Sequence, residues 1–156
     1  MGTKHRLLCE NCGYFVDYYE GINMFHPQIC KQILYEMKAG DYGEEFKKYA
    51  TILSNPAVHM QEALFQCEAC GALKGDKILE ICEKVGEYPP YVKGSWRGVD
   101  NLEKFPMALN GVHKTVYRKH HICECGAEML PITRVGQMNC PQCQSTLKSI
   151  MTGCFD

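Results

Sequence analysis

The sequence predicts an α+β protein built of two small modules, each closed around a metal ion. Three observations lead there: eight of the eleven cysteines fall in four close pairs, helical and strand-like patterns alternate between the pairs, and a proline- and glycine-rich stretch divides the chain. The pairs are Cys9 and Cys12, Cys67 and Cys70, Cys123 and Cys125, and Cys140 and Cys143. Three have Cys-x-x-Cys spacing and one is Cys-x-Cys; Gly13, Gly71 and Gly126 directly follow three of them. A tetrahedral ion takes four ligands, which two short cysteine-bearing turns supply when they face each other. Glycine after the second cysteine lets the backbone fold tightly around the ion. Four such turns therefore predict two four-cysteine sites.

The bulk properties fit that reading. A chain of 156 residues holds one medium domain or two small ones, and small domains need a staple. Disulfides are the alternative use of many cysteines, in secreted chains. The start, Met1-Gly-Thr-Lys-His-Arg6, has no apolar run of signal-peptide length, so metal sites and a cytoplasmic location are expected. No run of about 18 apolar residues predicts a membrane span. The net charge of −1 gives no support to a protein that coats nucleic acid by charge alone. Its distribution is uneven: residues 1–90 carry 9 Lys and Arg against 13 Asp and Glu, and residues 91–156 carry 8 against 5.

Residues 6–19 lead into the first turn and continue into Tyr14-Phe-Val-Asp-Tyr-Tyr19, whose aromatic and β-branched content predicts a short hairpin beside the metal. From Pro27 the period becomes helical. Ile29, Cys30, Ile33, Leu34 and Met37 line one face, and Gly40 stops the helix. A second helix is predicted over residues 43–53 from Phe46, Tyr49, Ala50 and Leu53, closed by Asn55-Pro56. Glu62-Ala-Leu-Phe-Gln-Cys67 reads as a strand entering the second turn; residues 77–85 alternate incompletely and read as a strand, with a helix as the alternative. Residues 88–110 hold Pro89, Pro90, Gly94, Gly98 and Pro106 and predict a linker or long loop, with Trp96 inside it. Alternation resumes over residues 111–118, then at 129–132, 138–140 and 146–150 around the last two turns and a turn at Val135-Gly136. The predicted organisation is a metal-binding module over residues 1–87, the linker, and a second module over residues 111–156.

Cys123-Glu-Cys125-Gly-Ala-Glu-Met-Leu-Pro131, followed after Cys125 by fourteen residues and then Cys140-Pro-Gln-Cys143, resembles a bacterial zinc ribbon. The resemblance covers about 30 residues and implies an antiparallel ribbon closed around one ion. Ile122 stands where the usual turn has its first cysteine, so Cys123 completes the site through a tighter loop, or His120 or His121 takes its place. Cys9-Glu-Asn-Cys12-Gly13-Tyr14 with Gly21, and Cys67-Glu-Ala-Cys70-Gly71 with Lys74, resemble the two knuckles of rubredoxin. That resemblance implies that Cys9, Cys12, Cys67 and Cys70 form one site, interrupted by 54 residues between Cys12 and Cys67. A loop of that length closes at modest entropic cost. In rubredoxin such a site holds iron and passes an electron.

Two zinc ions per chain are therefore expected, on Cys9, Cys12, Cys67, Cys70, Cys123, Cys125, Cys140 and Cys143, with iron as the alternative at the first site. Cys30 lies on the apolar helix face and reads as packing, and Cys82 and Cys154 have no second ligand in the sequence. No catalytic motif is present, and a closed shell of four cysteines leaves no position for water or substrate. The expectation is a non-enzymatic adaptor or regulator contacting protein or nucleic acid, with a rubredoxin-like electron carrier as the alternative. Arg97, Lys104, Lys114, Arg118, Lys119, His120, His121 and Arg134, with Trp96 and Tyr117, form the candidate nucleic-acid surface, set against the plainer reading of ordinary exposed charge.

Overall fold

The computed structural model describes residues 2–21, 26–90, 95–96, 99–100, 102–132 and 136–155; for 95, 96, 99, 100, 102 and 155 it describes the backbone alone. Arg97 and Arg134, the Trp96 side chain and the Val135 half of the expected last turn lie outside the described residues. Among the described residues there are ten strands and two α-helices. They are β1 (Gly2–Leu8), β2 (Phe15–Gly21), α1 (His26–Ala39), α2 (Glu44–Ile52), β3 (Pro56–Cys67), β4 (Leu73–Lys84), β5 (Ser95–Trp96), β6 (Val99–Asp100), β7 (His113–Arg118), β8 (His121–Ile122), β9 (Glu128–Pro131) and β10 (Lys148–Phe155). A short 3-10 turn covers Leu102–Lys104.

The expected α+β fold of two independent metal-stapled modules is not what forms. Eight strands make one antiparallel sheet in the order β10-β1-β2-β3-β4-β7, with β9 added to β3 and β8 to β9, and the protein is sheet-dominated. The physical reason lies in the edges of the expected ribbon. A short hairpin leaves its backbone N–H and C=O groups unpaired on both sides, and longer strands elsewhere in the chain satisfy them. Thus β10 pairs with β1 from Leu8↔Lys148 to Gly2↔Phe155, across a register shift at Lys4 and His5, and β9 pairs with β3 at Phe65↔Pro131, Gln66↔Leu130 and Cys67↔Met129. The last quarter of the chain is woven onto the first half. Among the described residues the C-terminal strands β9 and β10 pair with β3 and β1, so the expected C-terminal ribbon is not self-contained.

The chain divides into two compact units, each made of several segments. The first comprises Met1–Asn23, Gln61–Ile78 and His120–Asp156. Its interior is two apolar clusters, one around Leu7, Tyr18, Leu64, Leu73 and Leu147, the other around Ala63, Phe65 and Met129. Gly75 sits where β4 passes the β2 backbone: a Cβ there would lie 2.6 Å from the Asp17 carbonyl oxygen. Only glycine allows that approach.

The second unit comprises Met24–Met60 and Leu79–Lys119. Its core joins Cys30, Ile33 and Met37 of α1 and Phe46 and Ala50 of α2 to Val58, Met60, Leu79, Ile81 and Met107. Both helices run close to where the 3.6-residue period places them, and the face read from the sequence is the buried one. Val58 donates its N–H to Pro106 and accepts from Ala108, so residues 106–108 of the expected linker are tied to β3. Glu80 on β4 is buried, and its carboxylate takes a 2.9 Å hydrogen bond from the Thr115 hydroxyl and an ion pair from Arg118 on β7. Arg118, read from the sequence as part of a binding surface, is committed to this pair. No helix among the described residues is long and apolar enough to cross a membrane.

Candidate metal centres

Each cysteine pair occupies a tight turn, and all four turns are built alike. The first cysteine's N–H bonds to a carbonyl just past the turn, 2.8–2.9 Å away: Cys9 to Tyr14, Cys67 to Ala72, Cys123 to Ala127, and Cys140 to Ser145. In return its carbonyl accepts the N–H of the residue after the second cysteine, at 2.9–3.0 Å, from Gly13, Gly71, Gly126 and Gln144. Those four residues share the left-handed conformation, with φ of 76°, 73°, 89° and 62°. Glycine reaches it without strain, so three of the turns are explained by their sequence. The Cys123–Cys125 turn is one residue shorter and closes on the same two bonds. The loop is one residue tighter and still carries both cysteines into one group.

Strand pairing decides which turns meet. The β1–β10 ladder sets the Cys140–Cys143 turn beside the Cys9–Cys12 turn, and the β3–β9 ladder sets the Cys123–Cys125 turn beside the Cys67–Cys70 turn. The resulting groups are Cys9, Cys12, Cys140 and Cys143, and Cys67, Cys70, Cys123 and Cys125, with the sulfurs of each group within 4.8 Å of one another. The expected grouping, Cys9 and Cys12 with Cys67 and Cys70, is therefore replaced by one that joins each early turn to a late one. Closest sulfur pairs stand at 3.4 Å (Cys9 and Cys143), 3.6 Å (Cys12 and Cys140), 3.5 Å (Cys67 and Cys125) and 3.5 Å (Cys70 and Cys123). A zinc tetrathiolate with bonds of about 2.3 Å has sulfurs about 3.8 Å apart; these four pairs lie a few tenths of an ångström inside that separation, and no pair in either group exceeds it by more than about 1 Å. All eleven cysteines are free of disulfides.

In each group one sulfur from each turn faces the interior: Cys9 and Cys140 in one, Cys67 and Cys123 in the other. These buried cysteines belong to the apolar clusters of the first unit, which fixes the turns against the sheet. The electrostatics divide each group into cysteines whose thiols are lowered and cysteines whose thiols are raised. The Ser145 hydroxyl, then the Asn11 side chain and the Ser145 N–H, bring the Cys143 thiol down to about 5. Its neighbour Cys12 has the Tyr14 N–H favouring the thiolate, yet desolvation and hydrogen bonds with Cys140, Cys143 and Cys9 push it up to about 12. The second group repeats this. The Cys70 N–H, against desolvation and with help from the Ala69 N–H and the Cys125 sulfur, lowers Cys67 to about 6. Cys70 rises to about 12: the Ala72 N–H opposes the rise, and bonds with Cys123, Cys67 and Cys125 outweigh it. Cys125 also rises, the Ala127 N–H opposing and Cys67 and Cys123 prevailing. One thiolate holds its neighbours protonated, and a divalent cation removes that penalty by displacing the protons.

The two histidines offered as substitutes for Cys123 are engaged elsewhere. His120 Nδ1 lies 2.9 Å from Glu128. Buried His121 donates Nε2–H to the Lys77 carbonyl at 3.1 Å, has Nδ1 3.4 Å from Asp76, and packs on the Phe65 ring. Cys123 is the member of the group. Cys30 and Cys82 are buried in the second unit, where desolvation raises their thiols to about 12 and about 11, and Cys154 is exposed on β10. The residue that sequence reasoning passed over is Gln144. Aligning the four turns would have exposed it, as the one position after a second cysteine that is not glycine.

Fold and site together define an antiparallel sheet protein with two four-cysteine groups able to hold metal ions. Searches of family models, curated proteins and solved structures found no match to this chain.

Proposed function

We propose that each four-cysteine group holds one zinc ion as a structural centre, and that the protein is a non-enzymatic adaptor whose first unit presents its paired turns to a partner protein. The observation that carries this reading is the closed donor set: four convergent sulfurs from two hydrogen-bonded turns saturate a tetrahedral ion and leave no place for substrate. Each ion contributes on the order of 10 kcal/mol to folding at neutral pH.

Charge favours protein over nucleic acid as the partner. The first unit carries 6 Lys and Arg against 9 Asp and Glu, counted over its three segments. Each zinc tetrathiolate adds a formal charge of −2, which further repels a polyanion. In the second unit, Arg118 is spent on Glu80. Metal analysis of the purified chain with a visible spectrum tests the proposal: two zinc ions and no colour are expected, with loss of the first unit's tertiary structure on chelation. Iron with a ferric-thiolate absorption that bleaches reversibly on reduction would replace this reading with electron transfer.

A further inference from the structure

In the first unit a cleft of about 350 Å³ lies between the two metal turns, lined by Gln66, Gly71, Gln137, Met138, Asn139, Pro141 and Gln144. Four of these residues carry carboxamides, and among the described residues that line it none is charged. Among the described residues none of these four carboxamides is hydrogen-bonded to another part of the chain. A second cleft of about 380 Å³ shares Gln66 and Gly71 with the first and continues over Glu68, Leu130, Pro131 and Ile132. Leu130 is exposed there.

Gln144 is the second, independent observation. It takes the left-handed conformation that glycine takes in the other three turns, at φ 62°. A side chain there is strained where glycine is not, and such strain persists where the side chain has a use. Gln144 is one of the residues that line the cleft.

We propose that these joined clefts bind an extended segment of a partner protein, with Gln144 as a recognition residue. The proposal rests on the adaptor reading above. An extended peptide offers a donor and an acceptor at every residue, which carboxamides match in either sense, and alternate side chains that Leu130 and Ile132 can receive. The acidic charge of the unit and Glu68 at the cleft favour a neutral or basic segment over a nucleic acid strand.

The test uses the metal-loaded full chain on an array of random ten-residue peptides, with the best binders carried to solution titration. Wild type is expected to select neutral or lysine-containing sequences. Gln144→Gly is expected to weaken their Kd about tenfold, the worth of one or two hydrogen bonds. The same variant should raise Tm by about 2–4 °C, because it relieves the strained turn. Gln66→Ala should also weaken binding, at unchanged metal content. No selective peptide, or peptide binding indifferent to Gln144→Gly and Gln66→Ala, overturns the inference while leaving the zinc reading intact. Binding of twelve-residue homopolymeric RNA that Gln144→Gly abolishes overturns it in favour of base recognition. Absence of metal from the wild type instead overturns the reading on which it rests.

Discussion

Replacing Arg118 by methionine keeps the length and apolar stem of the side chain and removes the charge that meets Glu80. The Glu80 side chain is 8% exposed and that of Arg118 59%, so the cost falls mainly on the carboxylate left behind, with the Thr115 hydroxyl as its remaining partner. Breaking a fully buried ion pair costs about 3–5 kcal/mol. Because the guanidinium end is more than half in water, solvent returns to the gap and about 2–3 kcal/mol is expected here. With a slope of about 2–3 kcal/mol per molar, the urea midpoint should fall by about 1 M. Amide exchange along β4 and β7 reports the unit directly, and Glu80→Gln completes a double-mutant cycle in which the second change recovers most of the loss. A loss below about 1 kcal/mol, or the same loss in the Glu80→Gln background, refutes the reasoning. Arg118→Glu would set two carboxylates against each other, so weaker ligand binding in that variant would report damage to the fold.

Metal stoichiometry distinguishes the two ways of grouping the turns: Cys12→Ser with Cys143→Ser should leave one ion, Cys12→Ser with Cys70→Ser none, and the opposite pattern by elemental analysis would reject the grouping described here. Buried His26 has Nδ1 without a hydrogen-bond partner, and desolvation, then the neighbouring His59, lowers it to about 4 from the ordinary 6.5. The unfolded chain therefore binds this proton more readily: the stability from a neutral His26 is full above pH 6.5 and falls as pH drops from 6.5 towards 4, by at most about 3 kcal/mol. His26→Leu should flatten that part of the curve relative to wild type in matched urea titrations, and an unchanged slope would contradict it. Gly75→Ala should cost about 1–3 kcal/mol, since the new methyl meets the Asp17 carbonyl and backbone must shift; thermal unfolding within error of wild type would show that the strands part without strain.

What the sequence revealed follows the range over which each signal acts. The two helices were legible because Ile33, Met37, Phe46 and Ala50 repeat at helical spacing within a dozen residues. The turns were legible because two cysteines and a glycine in five residues leave few alternatives. Their grouping was not, since it depends on Leu8 meeting Lys148 and Cys67 meeting Met129, and no local pattern encodes those pairings. Resemblance misled here. The Cys9–Cys12 and Cys67–Cys70 turns are the most alike in sequence, yet likeness records a shared way of turning, and adjacency is set by backbone ladders. The strand at residues 62–67 begins earlier, at Pro56, because the apolar positions 58 and 60 continue into the second unit's core. Arg118 looked available because its partner lies 38 residues away on a neighbouring strand.

The two four-cysteine groups are nested along the chain: the group ending at Cys125 lies wholly between Cys12 and Cys140 of the other. During synthesis, then, neither can close early. When Cys12 is added to the chain its partner turn is more than a hundred residues from being made, and by the time Cys123 and Cys125 appear the Cys67–Cys70 turn has long been waiting. The inner group can capture its ion first, and the outer one only after Cys143 has emerged. On the proposed reading, loading follows the order of translation from the inside outwards, and a chain stopped before residue 140 is expected to hold at most one metal ion.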